Sequence, residues 1–274
     1  PAIPLIYLYA DGQPLYGAMS GFAKSLALES KLRIKSIAGA EKEPLARLLA
    51  QECSDSRELE LRYADGQRWV KRWLPWKPVE QPSLLRKGGV YWITGGAGGL
   101  GHLFADYLAR RYDAQLILSG RSSLSPERGE WMQRLEPTPL YLTCDVSDRE
   151  AVKAVVAEIQ RRFGRLDGII HAAGVIQDAL LANKTPEGIE AVLAPKITGV
   201  VNLDTASKGL DLDFLVLFSG LAATVGNLGQ TDYAFANRFM DGFAQWREEQ
   251  RCQGQRSGRT LAIAWPLWQE GGMQ

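Results

Sequence analysis

The sequence predicts an α/β protein built on a Rossmann-type, doubly wound parallel sheet, preceded by a partial, degenerate Rossmann-like subdomain. From residue 88 onward, short apolar strands alternate with helical patterns, which is typical of a parallel sheet with helices on both faces. A glycine pattern, Gly96, Gly98 and Gly101, stands between the first of these strands and an amphipathic helix. The residues before 88 show a shorter α/β pattern without such a loop.

Residues 87–274 are interpreted as a nucleotide-binding subdomain. Its strands are predicted at 90–94, 115–119, 139–143, 167–171, 213–218 and 260–264. The most regular helix is predicted over 148–163, with a capping box formed by Ser147 and Glu150. Another helix is predicted to begin at Thr185, because a proline at the first helical position follows this capping residue.

Residues 1–86 are interpreted as a structural subdomain and a linker. Strands are predicted at 3–9, 32–37, 59–63 and 68–73, and helices over about 15–26 and 42–51. Asp65 and Gly66, between the last two strands, predict a hairpin turn. The linker is predicted from Pro75, Pro78 and Pro82.

Composition argues against several classes of protein. The chain has 274 residues and a net charge of +1, which disfavours a nucleic-acid partner. Its three cysteines lie far apart, which favours a cytoplasmic, reducing setting, and the two histidines without a Cys-x-x-Cys pattern predict no metal site. No apolar run approaches the ~20 residues of a membrane span. Because the first residue is Pro1 rather than Met, the chain is expected to be a piece of something longer.

The glycine-rich run predicts a dinucleotide-binding loop. Glycine permits a tight turn and a close backbone approach, and the helix that follows offers N–H groups and a partial positive charge to a pyrophosphate. A glycine-rich turn with no ligand is the alternative. The residues expected at the cofactor in this loop are Thr94, Gly96, Ala97, Gly98, Gly99, Leu100 and Gly101.

The ends of the later strands add candidates, because ligands of such sheets bind beyond the carboxyl ends of the strands. Arg121 is expected to pair with a 2′-phosphate, which favours NADPH over NAD; a solvated arginine is the alternative. Asp145 either bonds the adenine amino group or serves the turn before the next helix. His171 is expected to be a packed core residue. The other residues expected at the cofactor are Ser119, Ser122, Val146, Ala172, Ala173 and Gly174.

Several segments together carry a family resemblance. They are TGGAGGLG, SGRS, CDV, HAAGV, the helix of Lys196, the Y-x-x-x-N run that starts at Tyr233, and the segment 265–268. In these the chain resembles the short-chain dehydrogenase/reductase superfamily and, more narrowly, the ketoreductase domain of modular polyketide synthases. Segments 15–19 and 68–70 resemble the latter part of the family's non-catalytic structural subdomain, so the resemblance spans nearly the whole chain.

The resemblance implies an NADPH-dependent reduction in which Tyr233 donates a proton to a ketone oxygen. A free tyrosine has a pKa near 10, and a nearby ammonium would lower it. Lys196 is the expected source of that charge. In polyketide ketoreductases the lysine and an asparagine exchange the places they hold in most of the superfamily, and Asn237 at the i+4 position from Tyr233 matches this exchange. The alternatives are a packed tyrosine and a surface lysine.

One position departs from the family pattern. The family has a serine thirteen residues before the tyrosine that hydrogen-bonds the substrate carbonyl, and this chain has Gly220 there. Ser219 precedes it and is the candidate substitute, although neighbouring residues of a strand face opposite sides. The hypothesis is a slow ketoreductase, unless Ser219 or Thr224 supplies the missing bond.

The resemblance also bears on stereochemistry. The family's tryptophan that marks one product class would stand at Val225, and of the Leu-Asp-Asp motif that marks the other class only Asp178 is kept. We therefore predict the B-type product, a D-configured β-hydroxyl; a plain loop role is the alternative for Asp178. The residues expected at the substrate are Asp178, Val225, Gln230, Pro266 and Leu267.

The implied substrate is a β-ketoacyl chain on the phosphopantetheine of an acyl carrier protein, among other domains of the same synthase. Residues 265–268 and 271–273 lead, in the family, into a mobile lid, so the lid and the last strand are expected to be missing from this chain. Two alternatives stay open: a cofactor-binding or structural module that no longer reduces its substrate, and a free-standing reductase of a small ketone.

Overall fold

The computed structural model describes residues 5–40, 43–54, 58–75, 77 and 82–268. These residues form one sheet of four strands and one of six. The start of the first predicted strand, the start of the helix predicted at 42, Pro78 of the predicted linker and the segment 271–273 lie outside the described residues.

The four-stranded sheet lies at the start of the chain. Its strands, in spatial order, are β1 (Leu5–Tyr9), β2 (Ile34–Ala38), β3 (Glu60–Ala64) and β4 (Gln67–Val70). The first three are parallel, whereas β4 returns antiparallel to β3. Asp65 and Gly66 have φ of 53° and 69°, as a type I′ turn requires, so the predicted hairpin is confirmed. The helices are α1 (Pro14–Gly17), α2 (Met19–Glu29) and α3 (Leu45–Ser54).

The six-stranded sheet is wholly parallel and positions the site. Its strands are β5 (Val90–Thr94), β6 (Gln115–Gly120), β7 (Leu140–Thr143), β8 (Gly168–His171), β9 (Phe214–Gly220) and β10 (Arg259–Trp265). Their spatial order is β10-β9-β8-β5-β6-β7, so the direction of winding reverses between β5 and β8. A crevice opens at such a reversal, beyond the carboxyl ends of the strands. The predicted parallel fold is confirmed.

Helices cover both faces of this sheet. They are α4 (Gly99–Tyr112), α5 (Pro126–Gln133), α6 (Arg149–Phe163), α7 (Pro186–Lys196), α8 (Thr198–Ser207), α9 (Ala222–Val225) and α10 (Thr231–Cys252). Side chains of β5 alternate between two buried clusters, with Trp92 in one and Tyr91 and Ile93 in the other. Alternate residues of a strand face opposite sides, so both faces are packed.

The ends of two helices test the predicted caps. The capping box of Ser147 and Glu150 is wrong, because Asp148 is the N-cap of α6 and accepts the backbone N–H groups of Glu150 and Ala151 at 2.8 and 3.1 Å. The Ser147 hydroxyl instead donates to Asp145 at 2.6 Å. At α7 the prediction is confirmed: Thr185 accepts the N–H of Gly188 at 3.1 Å.

The two sheets are joined through α2, which packs against α9 and α10. Glu60 of β3 accepts from Arg238 of α10 at 2.7 Å and from Lys24 of α2 at 2.5 Å. This largely buried carboxylate links a strand of the first sheet to the longest described helix packed on the second. Among the helices that the structure describes, none combines the length and the apolar character needed to cross a membrane.

Candidate active site

The loop between β5 and α4 makes backbone contacts so close that two of its positions have room only for glycine. Gly95 has φ of +66°, and a Cβ there would lie 2.8 Å from the backbone nitrogen of Ala173. A Cβ on Gly101 would collide with the carbonyl oxygen of Gly95. Gly96 donates its N–H to the Ser119 carbonyl at 3.2 Å, which holds the loop against β6. The loop thus lies flat over the strand ends, at the N-terminus of α4.

Two neighbouring cavities flank this loop. One, of about 230 Å³, lies between the loop and the segment after β6. The other, of about 370 Å³, lies between Arg121, Asp145 and α7. Arg121 borders both. Of the residues expected at the cofactor, the following line one or both: Ala97, Gly98, Gly99, Leu100, Gly101, Ser119, Arg121, Ser122, Asp145, Val146, Ala172, Ala173 and Gly174.

Some of these candidates have their side chains engaged elsewhere. Thr94 and Gly96 line neither cavity. The Thr94 hydroxyl lies 2.7 Å from Nδ1 of His171, whose Nε2 lies 3.0 Å from the Pro195 carbonyl. Burial lowers the pKa of His171 to about 3, so the neutral ring donates to Pro195 and accepts from Thr94, as befits a core histidine. The Ser119 hydroxyl accepts from the indole of Trp92 at 2.9 Å.

Asp145 takes part in the turn before α6. Its Oδ1 accepts from the backbone N–H of Ser147 at 2.9 Å as well as from the Ser147 hydroxyl. The side chain is nevertheless exposed and borders the larger of the two cavities. The two expectations for this residue, a turn role and a ligand role, are therefore compatible.

Three of the expected catalytic residues come together behind the carboxyl end of β9. The Lys196 Nζ lies 5.3 Å from the centroid of the Tyr233 ring and donates to the Phe218 carbonyl at 3.0 Å. Asn237 stands one turn after Tyr233 on α10 and donates its amide to the Tyr233 carbonyl at 2.8 Å. Lys196 and Asn237 are 2% and 0% exposed, so they support the wall of the site from behind.

Burial sets the protonation of this group. Desolvation lowers the pKa of Lys196 to about 7, because the charged amine has lost its water. Burial also raises the pKa of Tyr233 above its ordinary value, while a hydrogen bond from Asn237 acts in the opposite direction. A lowered Tyr233 pKa was expected from the nearby ammonium. That expectation is wrong for the chain without a bound cofactor, because burial outweighs the lowering effects.

Gly220 faces the tyrosine. A Cβ built on Gly220 would lie 3.2 Å from the Tyr233 hydroxyl and 3.5 Å from the Asn237 amide nitrogen. Ser219 points its hydroxyl the other way, donating to the Asn237 carbonyl at 3.2 Å. Thr224 has a buried hydroxyl without a partner among the described residues, and it does not line the cavity in front of Tyr233. Neither hydroxyl stands where a side chain at 220 would project.

A cavity of about 470 Å³ opens in front of Tyr233 and Gly220. Asp178 and Gln230 line one side and are linked, the Gln230 amide donating to Asp178 at 2.9 Å. Val225 is 65% exposed and Leu267 is 84% exposed, so both stand at the mouth of the cavity. The five residues expected at the substrate all line this cavity: Asp178, Val225, Gln230, Pro266 and Leu267.

Three further residues lie around the site without having been predicted. Arg128 lines the smaller of the two cavities beside the glycine loop, together with Arg121. Lys184 forms an ion pair with Asp232, the residue that precedes Tyr233, at 2.8 Å. The side chains of Lys184 and Asp232 are only 2% and 4% exposed. A polar residue next to a motif tyrosine was the one visible signal for Asp232, and no sequence signal pointed to Lys184.

The strand order, the glycine loop after β5 and the lysine behind Tyr233 place the chain among proteins of the short-chain dehydrogenase/reductase type. The model of one family, the KR domain, matches residues 89–270. The chain belongs to this family of ketoreductase domains, which bind a nicotinamide cofactor.

Relatives come from polyketide synthases. The chain is 38% identical to polyketide synthase PksL of Bacillus subtilis over 283 residues, which is 96% of this chain and 6% of that protein. It is 44% identical to polyketide synthase ThaG of Burkholderia thailandensis over 199 residues, 72% of this chain and 4% of that protein. The chain therefore spans a small fraction of the curated relatives that it matches.

The solved structures that this chain resembles are also ketoreductase domains. The crystal structure of a ketoreductase domain from the bacillaene assembly line covers 100% of this chain with a TM-score of 0.94 and 37% identity, and 68% of that chain is matched. An N-terminal ketoreductase from the macrolactin assembly line matches with a TM-score of 0.82 and 38% identity, over 99% of this chain and 57% of that one.

Proposed function

We propose that this chain reduces a β-ketoacyl thioester, carried on an acyl carrier protein, to a β-hydroxyacyl thioester with NADPH. The observation that carries the proposal is the placement of Lys196 against the ring of Tyr233, at the back of a 470 Å³ cavity. A partly buried tyrosine in the first turn of α10, with a lysine amine beside its ring, is suited to proton transfer to a carbonyl. In this proposal residues 1–86 are a structural subdomain and linker, and residues 87–274 form the catalytic subdomain.

The residues present fit a nicotinamide dinucleotide. The glycine loop lines the 230 Å³ cavity at the N-terminus of α4, where backbone N–H groups and the helix dipole favour a pyrophosphate. Arg121 and Arg128 line the cavity after β6 and supply positive charge for a 2′-phosphate, which supports NADPH. Asp145 borders the neighbouring cavity and is placed for an adenine amino group. When bound, the cofactor supplies the hydride.

In this proposal the side chains of the protein supply the proton that the ketone oxygen receives. Tyr233, held protonated by burial, donates its phenolic proton to the ketone oxygen as negative charge develops there. The ammonium form of Lys196 then stabilises the phenolate that is left, and Asn237 fixes the turn of α10 that carries the tyrosine. Gly220 contributes no hydroxyl to the carbonyl, so the oxygen receives one donor fewer than in the family pattern.

The substrate side supports a B-type, D-configured product. The position of the family's opposite-class tryptophan is Val225, which is exposed at the mouth of the cavity and leaves it open there. Asp178 faces the cavity from the opposite loop and is held by Gln230. A carrier protein of the same synthase would deliver the chain from the side of Leu267, which lines the cavity and is 84% exposed.

A second candidate function rests on Gly220. Losing one oxyanion donor costs about 10²–10³ in rate, so the alternative is a domain that binds the cofactor and does not reduce its substrate at a useful rate. A free-standing reductase of a small ketone is the third candidate.

The test is consumption of NADPH with a short β-ketoacyl thioester, on wild type and on Tyr233→Phe. We expect turnover in the wild type, a loss of at least about 10³-fold in the variant and an unchanged dissociation constant for NADPH in both. Chiral analysis of the product checks the D configuration. Cofactor binding without turnover supports the silent module, and turnover of free ketones but not of thioesters supports the third candidate.

A further inference from the structure

We propose that Glu29, assisted by Ser25, positions the two loops that form the substrate side of the cavity. Both residues belong to α2, which lies outside the six-stranded sheet. They are spaced i and i+4, so their side chains project from one face of the helix. The proposal deepens the proposed function, on which it rests for its kinetic readouts, by assigning substrate positioning to a helix of the N-terminal part of the chain.

The carboxylate of Glu29 accepts two hydrogen bonds, one from each loop. Glu29 Oε2 accepts the backbone N–H of Leu181 at 2.7 Å, and Oε1 accepts the backbone N–H of Gly229 at 3.1 Å. These acceptors belong to the same side chain, whereas the donors stand on two separate loops. Bonds from an N–H to a carboxylate are stronger than those between neutral groups. Glu29 therefore fixes the distance between the two loops.

Ser25 extends the same contact by one turn. Its hydroxyl, fully buried, accepts the N–H of Asn227 at 3.1 Å. The loop approaches α2 so closely at Gly226 that a Cβ there would lie 2.7 Å from the backbone carbon of Lys24. Two hydrogen bonds and a close backbone contact therefore hold the segment 226–229 against α2.

Two further hydrogen bonds connect the segment 226–229 to the residues that line the cavity. The backbone N–H of Ala179 donates to the Gly229 carbonyl at 3.1 Å, and the Gln230 amide donates to Asp178. Asp178 and Gln230 both line the cavity, and each lies within three residues of a backbone group that Glu29 holds. The geometry of the Asp178–Gln230 pair, and with it the width of the substrate side, follows from Glu29. Tyr233 and Lys196 are held by other contacts.

The experiment compares Glu29→Gln with the wild type in two measurements. The amide keeps the length of the side chain, yet it presents a donor to one of the two N–H groups. By hydrogen exchange, we expect amides in 179–182 and 226–230 to exchange about tenfold to a hundredfold faster, while those of β5 and α4 are unchanged. For a short β-ketoacyl thioester, we expect KM to rise about tenfold with kcat within about twofold, and the share of the minor product enantiomer to increase.

The matched control is Glu158→Gln, which removes a carboxylate that pairs on the exposed face of α6 and should change none of these readouts. Ser25→Ala should raise exchange at Asn227 and leave Leu181, which Glu29 still holds, unaffected. Unchanged exchange at Leu181 and Gly229 in Glu29→Gln would overturn the proposal. So would a uniform rise in exchange over the whole chain, or loosened loops with KM and product ratio unaltered. Because exchange is independent of turnover, an inactive wild type would count against the proposed function and leave the loop positioning decided by the exchange data.

Discussion

The amine of Lys196 lies 5.3 Å from the ring centroid of Tyr233 and has the Phe218 carbonyl as its hydrogen-bond acceptor. A single neutral carbonyl compensates little of the cost of burying a charge. The lysine pKa is accordingly lowered to about 7 by burial, against an ordinary value of 10.5. This places the protonation change of the amine close to neutral pH.

The rate of reduction should therefore fall as the pH rises through about 7. Below that pH the amine is an ammonium that stabilises the phenolate; above it the neutral amine has no charge to offer, while Tyr233 stays protonated. We expect kcat/KM to lose up to about tenfold per pH unit on this limb. The measurement is a profile from pH 5.5 to 9.5, and a flat profile across this range would contradict the assignment.

Stability should change in the opposite direction. Between pH 7 and about 10.5 the unfolded chain binds the lysine proton and the folded chain does not, so the free energy of unfolding rises with pH through this window. The slope from this group approaches ~1.4 kcal/mol per pH unit. Urea unfolding of Lys196→Met, compared with the wild type at pH 7 and pH 9, should show that this part of the slope has gone.

Gly220→Ser should raise turnover of the thioester by up to about 10²-fold, because the hydroxyl would project beside the Tyr233 hydroxyl. The tyrosine must yield by a few tenths of an ångström, since the new Cβ lies 3.2 Å from it. Gly220→Ala is the matched control: it brings the same crowding and no donor. Equal rates for the serine and alanine variants would show that the hydroxyl is not what the site lacks.

Arg121→Ala should weaken NADPH binding about tenfold to a hundredfold and leave NADH binding unchanged, because in the proposed function the lost charge would face only the 2′-phosphate that NADH lacks. Titration of cofactor fluorescence measures both constants without turnover. Arg134→Ala, on an exposed pair with Glu130, is the control and should alter neither. An equal loss of affinity for NADPH and NADH would mean that Arg121 contacts a part of the dinucleotide other than the 2′-phosphate.

Lys184→Met should destabilise the protein by about 3–5 kcal/mol, since it leaves Asp232 buried without its cation. The Oδ2 atom of Asp232 is already buried without a hydrogen-bond partner among the described residues, so little can compensate. Lys153→Met removes an exposed pair with Glu150 and should cost less than ~1 kcal/mol. Urea unfolding at pH 7 compares the two; similar losses would mean that the buried pair contributes no more than a surface one.

Much of the fold could be predicted because local signals determine it. Apolar runs punctuated by glycine gave β5 and β6 to within one residue, and Asp65-Gly66 located the hairpin by the backbone conformation it favours. The cap of α6 was missed because Ser147 and Asp148 are both good capping residues, and the sequence offers no rule for choosing between them.

The site could be predicted only where motif residues mark it, at the strand ends and on the helices of Lys196 and Tyr233. Glu29 and Leu181 are 152 positions apart, and no local pattern connects them. The direction of the Tyr233 pKa shift also escaped, since it depends on how completely α10 and the neighbouring loops exclude water. Arg128 lies on a helix of its own, and its approach to Arg121 is decided by tertiary packing.

The opposed directions of Ser219 and Gly220 bear on how this strand can evolve. Transposing the two residues would deliver a hydroxyl to the cavity and, in the same event, break the bond that Ser219 makes to the Asn237 carbonyl. A hydroxyl can therefore be added at 220 without losing this bond only when Ser219 stays in place. Conversely, drift at 219 would loosen the helix that carries Tyr233 whatever residue stands at 220.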